Sequence, residues 1–261
     1  MEAQFRRDAP IQHLSGVEGG DLLVGAGFGV VTGAVFPASG LSGNLTSVPE
    51  VSLLYGLGTR AAIGLTGAAF QRLKIGERST SRVVLDPGVD DGVTTDAGDF
   101  VVTASFAPLG SSSGFSAGGL VEVRLPNSDE TRGIGTNTTD VTLGVIGAWS
   151  ATRWRGAAMV GIAIEETPLN PVDQNDLVAY AVDLLVNASE RLRMSFGVSG
   201  AANTRGTAPA GTESHGMARA GVEWLVGSWR FDASLGRGIV DTSTGWRLAA
   251  GFAWTATGDG R

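Results

Sequence analysis

Between Met217 and Ala256 the chain alternates apolar with polar or tiny residues through three consecutive segments. In Met217–Val226, Ala218, Ala220, Val222, Trp224 and Val226 share one face, and Met217, Arg219, Gly221 and Glu223 share the other. In Trp229–Ile239 the faces are Trp229, Phe231, Ala233, Leu235 and Ile239 against Arg230, Asp232, Ser234, Gly236 and Gly238. In Trp246–Trp254 they are Trp246, Leu248, Ala250, Phe252 and Trp254 against Arg247, Ala249, Gly251 and Ala253. Strand side chains alternate with period two, so each segment reads as a strand with one apolar face. The second face, rich in glycine and charge, makes a poor globular core. An all-β, transmembrane, antiparallel up-and-down barrel explains both faces, with the apolar band turned to lipid and the polar face to the lumen.

The same pattern recurs along residues 21–256, the expected barrel. Asp21–Val31 sets Leu22, Val24, Ala26, Phe28 and Val30 against Leu23, Gly25, Gly27 and Gly29. Strands are also expected at Val51–Leu57, Ala61–Phe70, Asp99–Ala107, Phe115–Leu125, Thr139–Ala151, Ala158–Ile164, Asp176–Val186 and Arg191–Gly200. That gives about 12 strands of roughly ten residues, the length a tilted membrane strand needs. Pro37–Asn44, Gly76–Gly98, Pro126–Thr138, Glu165–Asn175 and Ala201–His215 read as loops. Short turns such as Gly58–Thr59, Thr152–Arg155 and Asn187–Glu190 alternate with them. Outer-membrane barrels have this asymmetry, with short periplasmic turns and long outer loops, and an even strand count puts both termini on the periplasmic side. Residues 1–20 are expected to be a periplasmic lead-in and residues 257–261 a C-terminal tail.

Aromatic placement is a second, separate signal, because Trp and Tyr favour membrane interfaces. Trp149 and Trp154 flank one short turn, Trp224 and Trp229 another, and Phe106 and Phe115 a third. Tyr55 and Trp254 sit at strand ends on the same side. These eight residues form the expected girdle, while Trp246 falls at the other rim.

Composition removes several classes. The net charge of −7 argues against a nucleic-acid partner, which needs a basic footprint. The absence of cysteine excludes thiol chemistry and thiolate metal sites. No apolar run is long enough for a transmembrane helix, and Met1–Pro10 is too polar for a secretory signal, so a mature form is expected.

The stretch Val121–Leu143 carries Pro126 after a strand, then Asp129, Gly133, Gly135 and Thr136, and Asp140 opening the next strand. In this it resembles the phenol-degradation MetA-pathway family of bacterial outer-membrane barrels, and loosely the resemblance covers residues 21–256. It implies an outer-membrane channel or transporter for small solutes, hydrophobic or aromatic ones included. The bilayer, lipopolysaccharide and the barrel assembly machinery are the implied partners, and no catalytic residue carries over. The chain departs from many such barrels by continuing past Trp254 rather than ending on an aromatic.

Other site patterns give less. Gly25–Gly29 lacks the spacing and the strand-to-helix turn of a dinucleotide loop, and its glycines are expected to keep the lumen wall thin. Asp86, Asp90, Asp91, Asp96 and Asp99 match no EF-hand and read as a solvated acidic loop. Neither His13 nor His215 has the surroundings of a nucleophile's base. No enzyme, cofactor or metal is therefore expected. Hairpin parity pairs inward Arg124 with Asp140, Asp183 with Arg193, and Glu223 with Arg230, either as braces of the wall or as a charged, selective constriction. An adhesive or structural barrel is the main rival, ahead of an outer-membrane lipid hydrolase and a soluble β protein.

Overall fold

The computed structural model describes residues 19–58, 60–110, 114–240, 242–243 and 245–257, and the side chains of all of these but 90, 91 and 170–173. Met1–Glu18, most of the expected lead-in, and residues 258–261 of the expected tail lie outside the described residues, as does His13.

The strands are β1 (Leu22–Phe36), β2 (Leu41–Gly56), β3 (Ala61–Ala68), β4 (Gln71–Arg78), β5 (Val93–Asp96), β6 (Phe100–Gly110) and β7 (Gly114–Leu125). They continue with β8 (Asp140–Ser150), β9 (Trp154–Thr167), β10 (Asn170–Asn187), β11 (Leu192–Asn203), β12 (His215–Val226), β13 (Trp229–Gly238) and β14 (Trp246–Ala256). Short 3-10 turns occupy Pro87–Asp91 and Glu130–Arg132. β2 pairs with β4 through Leu41–Ser47 and with β3 through Glu50–Gly56. Thus β3 and β4 are two halves of one stave, broken where Val48 N–H donates to Phe70 O and Ala69 N–H donates to Pro49 O. β5 and β6 likewise make one stave, pairing with β4 and β3 in turn. The fourteen segments are therefore twelve staves, all antiparallel. β1 closes the ring by pairing with both β2 and β14, from Leu22↔Ala256 to Val31↔Arg247. Full closure leaves no sheet edge, which a bilayer requires.

Burial follows parity. Val145, Val160 and Val182 are 66%, 60% and 57% exposed, while their neighbours Ile146 and Ala181 are 0% and 2% exposed. Apolar side chains stand outward all round the ring, among them Phe28, Leu53, Ile63, Val121, Leu143, Phe196 and Leu248. A contiguous apolar surface of this extent is foreign to soluble monomers.

The inner face departs from the expected polar lumen. Leu120, Ile146, Met159, Leu177 and four alanines form an apolar patch on β7–β11. A second inner cluster, with Val31, Phe36, Leu41, Leu45, Leu73, Val89 and Ile134, lies under the rim where β1 ends. Of these, Leu41, Val89 and Ile134 fall in stretches expected to be loops, and Leu45 follows directly after one of them.

Two expected loops are also corrected. Half of residues 37–44 and most of 165–175 are strand: β1 runs on to Phe36, β2 begins at Leu41, β9 runs to Thr167 and β10 begins at Asn170. Only four and two residues turn at these places, so long and short connections do not alternate strictly. At both sites the ladder simply extends beyond the wall, its inner side chains buried by loops from other hairpins.

Candidate functional site: the charged inner wall and its two mouths

The rim where β1 starts and β14 ends is called the terminal rim. All eight girdle residues stand at strand ends there with exposed side chains, Tyr55, Phe106, Phe115, Trp149, Trp154, Trp224, Trp229 and Trp254. Trp229 and Phe252 pack with ring centroids 5.9 Å apart. Trp246 stands at the opposite rim with the Arg237 guanidinium 4.9 Å from its ring, a cation–π contact.

Inside, several charges are gathered into ion pairs. Arg124 and Asp140 are register partners on β7 and β8, and their side chains are joined. Arg124 Nη2 also donates to Thr136 Oγ1 and Thr138 Oγ1, each at 3.0 Å, and Asp99 lies 3.9 Å from its Nε. Asp99 in turn accepts from Asn127 N, Ser128 N and Ser128 Oγ. Asp129 N donates to Asp96 at 2.7 Å. The loop 126–139 is thus latched to the strand ends by Asp96, Asp99 and Arg124. Asp86, on the other long loop, caps the turn Pro87–Asp91 by accepting from Gly88 N. These carboxylates serve the loops' own architecture instead of standing free in solvent.

The expected pair of Asp183 with Arg193 is corrected, and Glu223 and Arg230 are diagonal neighbours and not direct register partners. Asp183 stands opposite Gly197, not Arg193, and its carboxylate joins Arg219 on the far side of that glycine. Arg193 stands between Asn187 and Glu223, with Nη1 4.0 Å from Glu223 Oε2. Glu223 faces Asp232 on β13, and Arg230 faces Leu225. Parity gave the inward faces correctly, but the offset of each hairpin is fixed by its turn, not by parity.

Sequence reasoning missed a pair built in the same way as Asp183–Arg219. Arg247 Nη2 lies 2.5 and 2.7 Å from the two oxygens of Glu50, on β14 and β2, with Gly29 of β1 beneath. A Cβ at Gly29 would run into Glu50 and Arg247, and one at Gly197 would run into Asp183 and Arg219. Glycine lets a long cation reach across an intervening strand, so two pairs span three staves each. Inward parity had marked Arg219, Arg247 and Gly29; Glu50 lay one residue before an expected strand. The missing signal was the pairing register.

The opposite mouth is roofed. Ser39 Oγ donates to Gly133 O at 2.6 Å, Arg82 N to Ala38 O and Asp86 N to Thr131 O, tying the β1–β2 turn to the loops 79–92 and 126–139. A Cβ on Gly211 would touch Pro168 and lie 3.9 Å from Ala38 Cβ. In the stave order, Ala38 and Pro168 belong to hairpins half a circumference apart. The tip of the first hairpin therefore crosses the mouth.

No protein-family model matches this sequence, and no curated protein sequence matches it. Solved structures do match. The COG4313 outer membrane channel of Pseudomonas putida F1 aligns with 96% of this chain and 100% of its own, at 16% identity and a TM-score of 0.62. The KdgM porin, solved in complex with disordered oligogalacturonate, aligns with 89% of this chain and 98% of its own, at 7% identity and a TM-score of 0.54. The translocator domain of the autotransporter NalP from Neisseria meningitidis aligns with 90% of this chain and 88% of its own, at 12% identity and a TM-score of 0.54. At such identities the likeness establishes the fold, and the fold of this chain is the closed, twelve-stave antiparallel barrel found in bacterial outer-membrane channels.

Proposed function

We propose that the chain is an outer-membrane channel that carries small solutes, hydrophobic or aromatic ones included, between the terminal rim and the roofed mouth. The observation that carries this reading is the division of the closed barrel into an exposed apolar outside and an inside that holds buried ion pairs. The likeness to the COG4313 channel and the KdgM porin supports it. In this reading the terminal rim is periplasmic, because the long loops 79–92, 126–139 and 204–214 all lie at the opposite rim, and the exposed aromatics anchor it at the lipid headgroups. Lipopolysaccharide surrounds the opposite rim, and the barrel assembly machinery inserts the chain. Arg124, Asp140, Asp183, Arg193, Glu223 and Arg230 line the passage, with Arg193 and Glu223 at its terminal mouth. The chain is a conduit and not a hydrolase.

Two measurements test the proposal. Folded barrel should migrate faster on detergent gels before boiling than after. Reconstituted into planar bilayers or liposomes, it should give single-channel steps or solute uptake. A folded barrel giving neither would reject the channel.

The roof favours a second reading, a structural or adhesive barrel that presents its outer loops to a partner, since the first hairpin covers the mouth. That reading expects a loss of function from loop substitutions with no change in solute flux.

A further inference from the structure

Four inward side chains share one rung at the roofed mouth. Arg124 and Asp140 are register partners on β7 and β8, and Glu165 and Asn175 are register partners on β9 and β10. The β8–β9 ladder ends at Val141↔Ile164, so Asp140 and Glu165 stand side by side, and Glu166 N donates to Asp140 Oδ1 at 3.1 Å. All four side chains are buried. The one guanidinium on the rung is joined to Asp140 and donates to Thr136 and Thr138. Among the described residues no cation pairs with Glu165, and its Oε2 is buried without a hydrogen-bond donor. Asn175 Oδ1 is in the same condition. The other end of that amide is taken by loop 204–214: Nδ2 donates to Thr212 O at 3.2 Å and to Thr212 Oγ1 at 3.1 Å, and that hydroxyl donates to Pro209 O at 2.8 Å. Thr167 Oγ1 donates to Ala210 O and Arg205 Nη1 to Gln174 O, so the loop lies over the ends of β9 and β10.

We infer that Glu165 is held as the neutral acid and donates its O–H to Asn175 Oδ1, a clasp that ties loop 204–214 over the mouth and is released by alkali. Two adjacent buried carboxylates with one cation between them do not both ionise, and Arg124 is joined to Asp140. Buried acceptors need donors, and one shared proton satisfies both orphan oxygens. Both are closed to solvent, which leaves no space at either for a bound water or metal ion. Directly opposed Cβ atoms lie about 4.5–5.5 Å apart, within reach of a glutamate and an asparagine. The rung stands above the apolar band, since the outward neighbours Glu166 and Asp176 are charged and reach solvent. The charged and titratable groups around Glu165 are Arg124 on β7, Asp140 on β8, Glu213 in the loop and His215 at the start of β12, with Asp99 behind Arg124. Burial, and then the charge of Asp140, push the Glu165 carboxyl up to about 8. With the loop open, Glu165 meets water and ionises from its ordinary value of 4.5. The clasp is therefore at full strength below 4.5, weakens as pH rises toward 8 and is lost above it. It rests on these contacts alone, and only its effect on solute flux rests on the channel reading.

The test uses the full chain folded in detergent, with folding monitored by heat-modifiable gel mobility. Infrared difference spectra, wild type minus Glu165→Gln, should show the carbonyl stretch of a neutral carboxylic acid at neutral pH, and alkali should abolish it. Hydrogen exchange at Thr212, corrected for its intrinsic pH dependence, should quicken by up to about tenfold per pH unit between 4.5 and 8 and then level off. Glu165→Gln has the shape of the neutral acid and cannot ionise, so it should fold, keep the loop protected and show no such step. Asp176→Asn, outward at the next position, should behave as wild type. A difference spectrum without the acid band, or the same step in Glu165→Gln, would overturn the clasp. In planar bilayers, alkali should raise the conductance of wild type and leave Glu165→Gln unchanged. The acid band and the exchange step without conductance at any pH would sink the conduit and keep the clasp. Conductance without the acid band would do the reverse.

Discussion

Glu50 and Arg247 lie 197 residues apart in the chain and are joined at 2.5 Å across the seam that closes the barrel, over the bare backbone of Gly29. Both side chains are buried, at 10% and 6% exposure. The first and last staves are therefore held by their own ladder, Leu22↔Ala256 to Val31↔Arg247, and by a charge pair that skips over β1 to β2.

Gly29→Val should part that pair. A side chain at residue 29 occupies the space of the carboxylate and guanidinium, and overpacking of this kind costs about 1–3 kcal/mol. The urea midpoint of refolding into lipid vesicles measures it. Gly206→Ala, at a loop glycine with open space around it, should match wild type. Equal midpoints for all three proteins would mean that Gly29 is not needed for closure.

A charge on the outer face at mid-depth should be costly. Val182→Arg, at a side chain 57% exposed in the absence of lipid, is expected to lose about 2–4 kcal/mol in a bilayer. Ala181→Ser, one residue away and inward, should lose less than about 1 kcal/mol. Gly161 would be a poor inward control, since a Cβ there meets the Leu143 carbonyl. Similar penalties at residues 181 and 182, measured in the same vesicles, would contradict the assigned faces.

Asp183 and Arg193 should behave differently because they are not partners. Asp183→Asn leaves the Arg219 cation, 15% exposed, without its carboxylate, and breaking a buried pair costs about 3–5 kcal/mol. Arg193, with a side chain 32% exposed and 4.0 Å from Glu223, should yield only about 0–1 kcal/mol on Arg193→Ala. The same substitution removes a cation from the terminal mouth, so the reversal potential in a salt gradient should move toward cation preference. A large stability loss in Arg193→Ala with an unmoved reversal potential would make it a brace.

The loop latch predicts local opening. Asp99→Ala removes the acceptor of Asn127 N and Ser128 N, and hydrogen exchange at both amides should quicken about tenfold, with β10 and β11 unaffected. Uniform acceleration through the barrel would show that Asp99 holds the fold, not the loop.

A pH response is expected in the same loop. Hydrogen bonds from the Thr131 hydroxyl and backbone N–H, and then the charge of Arg132, hold the Asp129 carboxyl below its usual range. A lowered carboxylate stabilises the turn Glu130–Arg132 above the unfolded value of 3.8, and that contribution fades as pH falls through the still lower folded value. Thr131 amide exchange, corrected for its intrinsic pH dependence, should show a step only below pH 3.8. A step near neutrality would point to another group.

The sequence by itself determined which way the strand side chains face. Period-two alternation is a local property of the extended chain, so Val160, Val182, Trp224 and Phe252 could be placed outside, and Arg124, Asp140, Asp183 and Arg193 inside, without knowing any neighbour. The closed barrel of about twelve staves followed, because two opposed faces repeated that often have few other solutions. Tertiary structure alone decided how far each strand slides against the next. A slide by an even number of residues keeps every face and changes every partner, and a slide of four is why Asp183 meets Arg219 over Gly197 and Arg193 meets Glu223. Tertiary contacts also turned residues 41–44 and 165–167 from expected loop into ladder. Their polar residues and the neighbouring Pro37 and Pro168 favour turns locally, but Leu41 and Leu45 gain burial against Val89 and Ile134 of distant loops, and no local pattern records that contact.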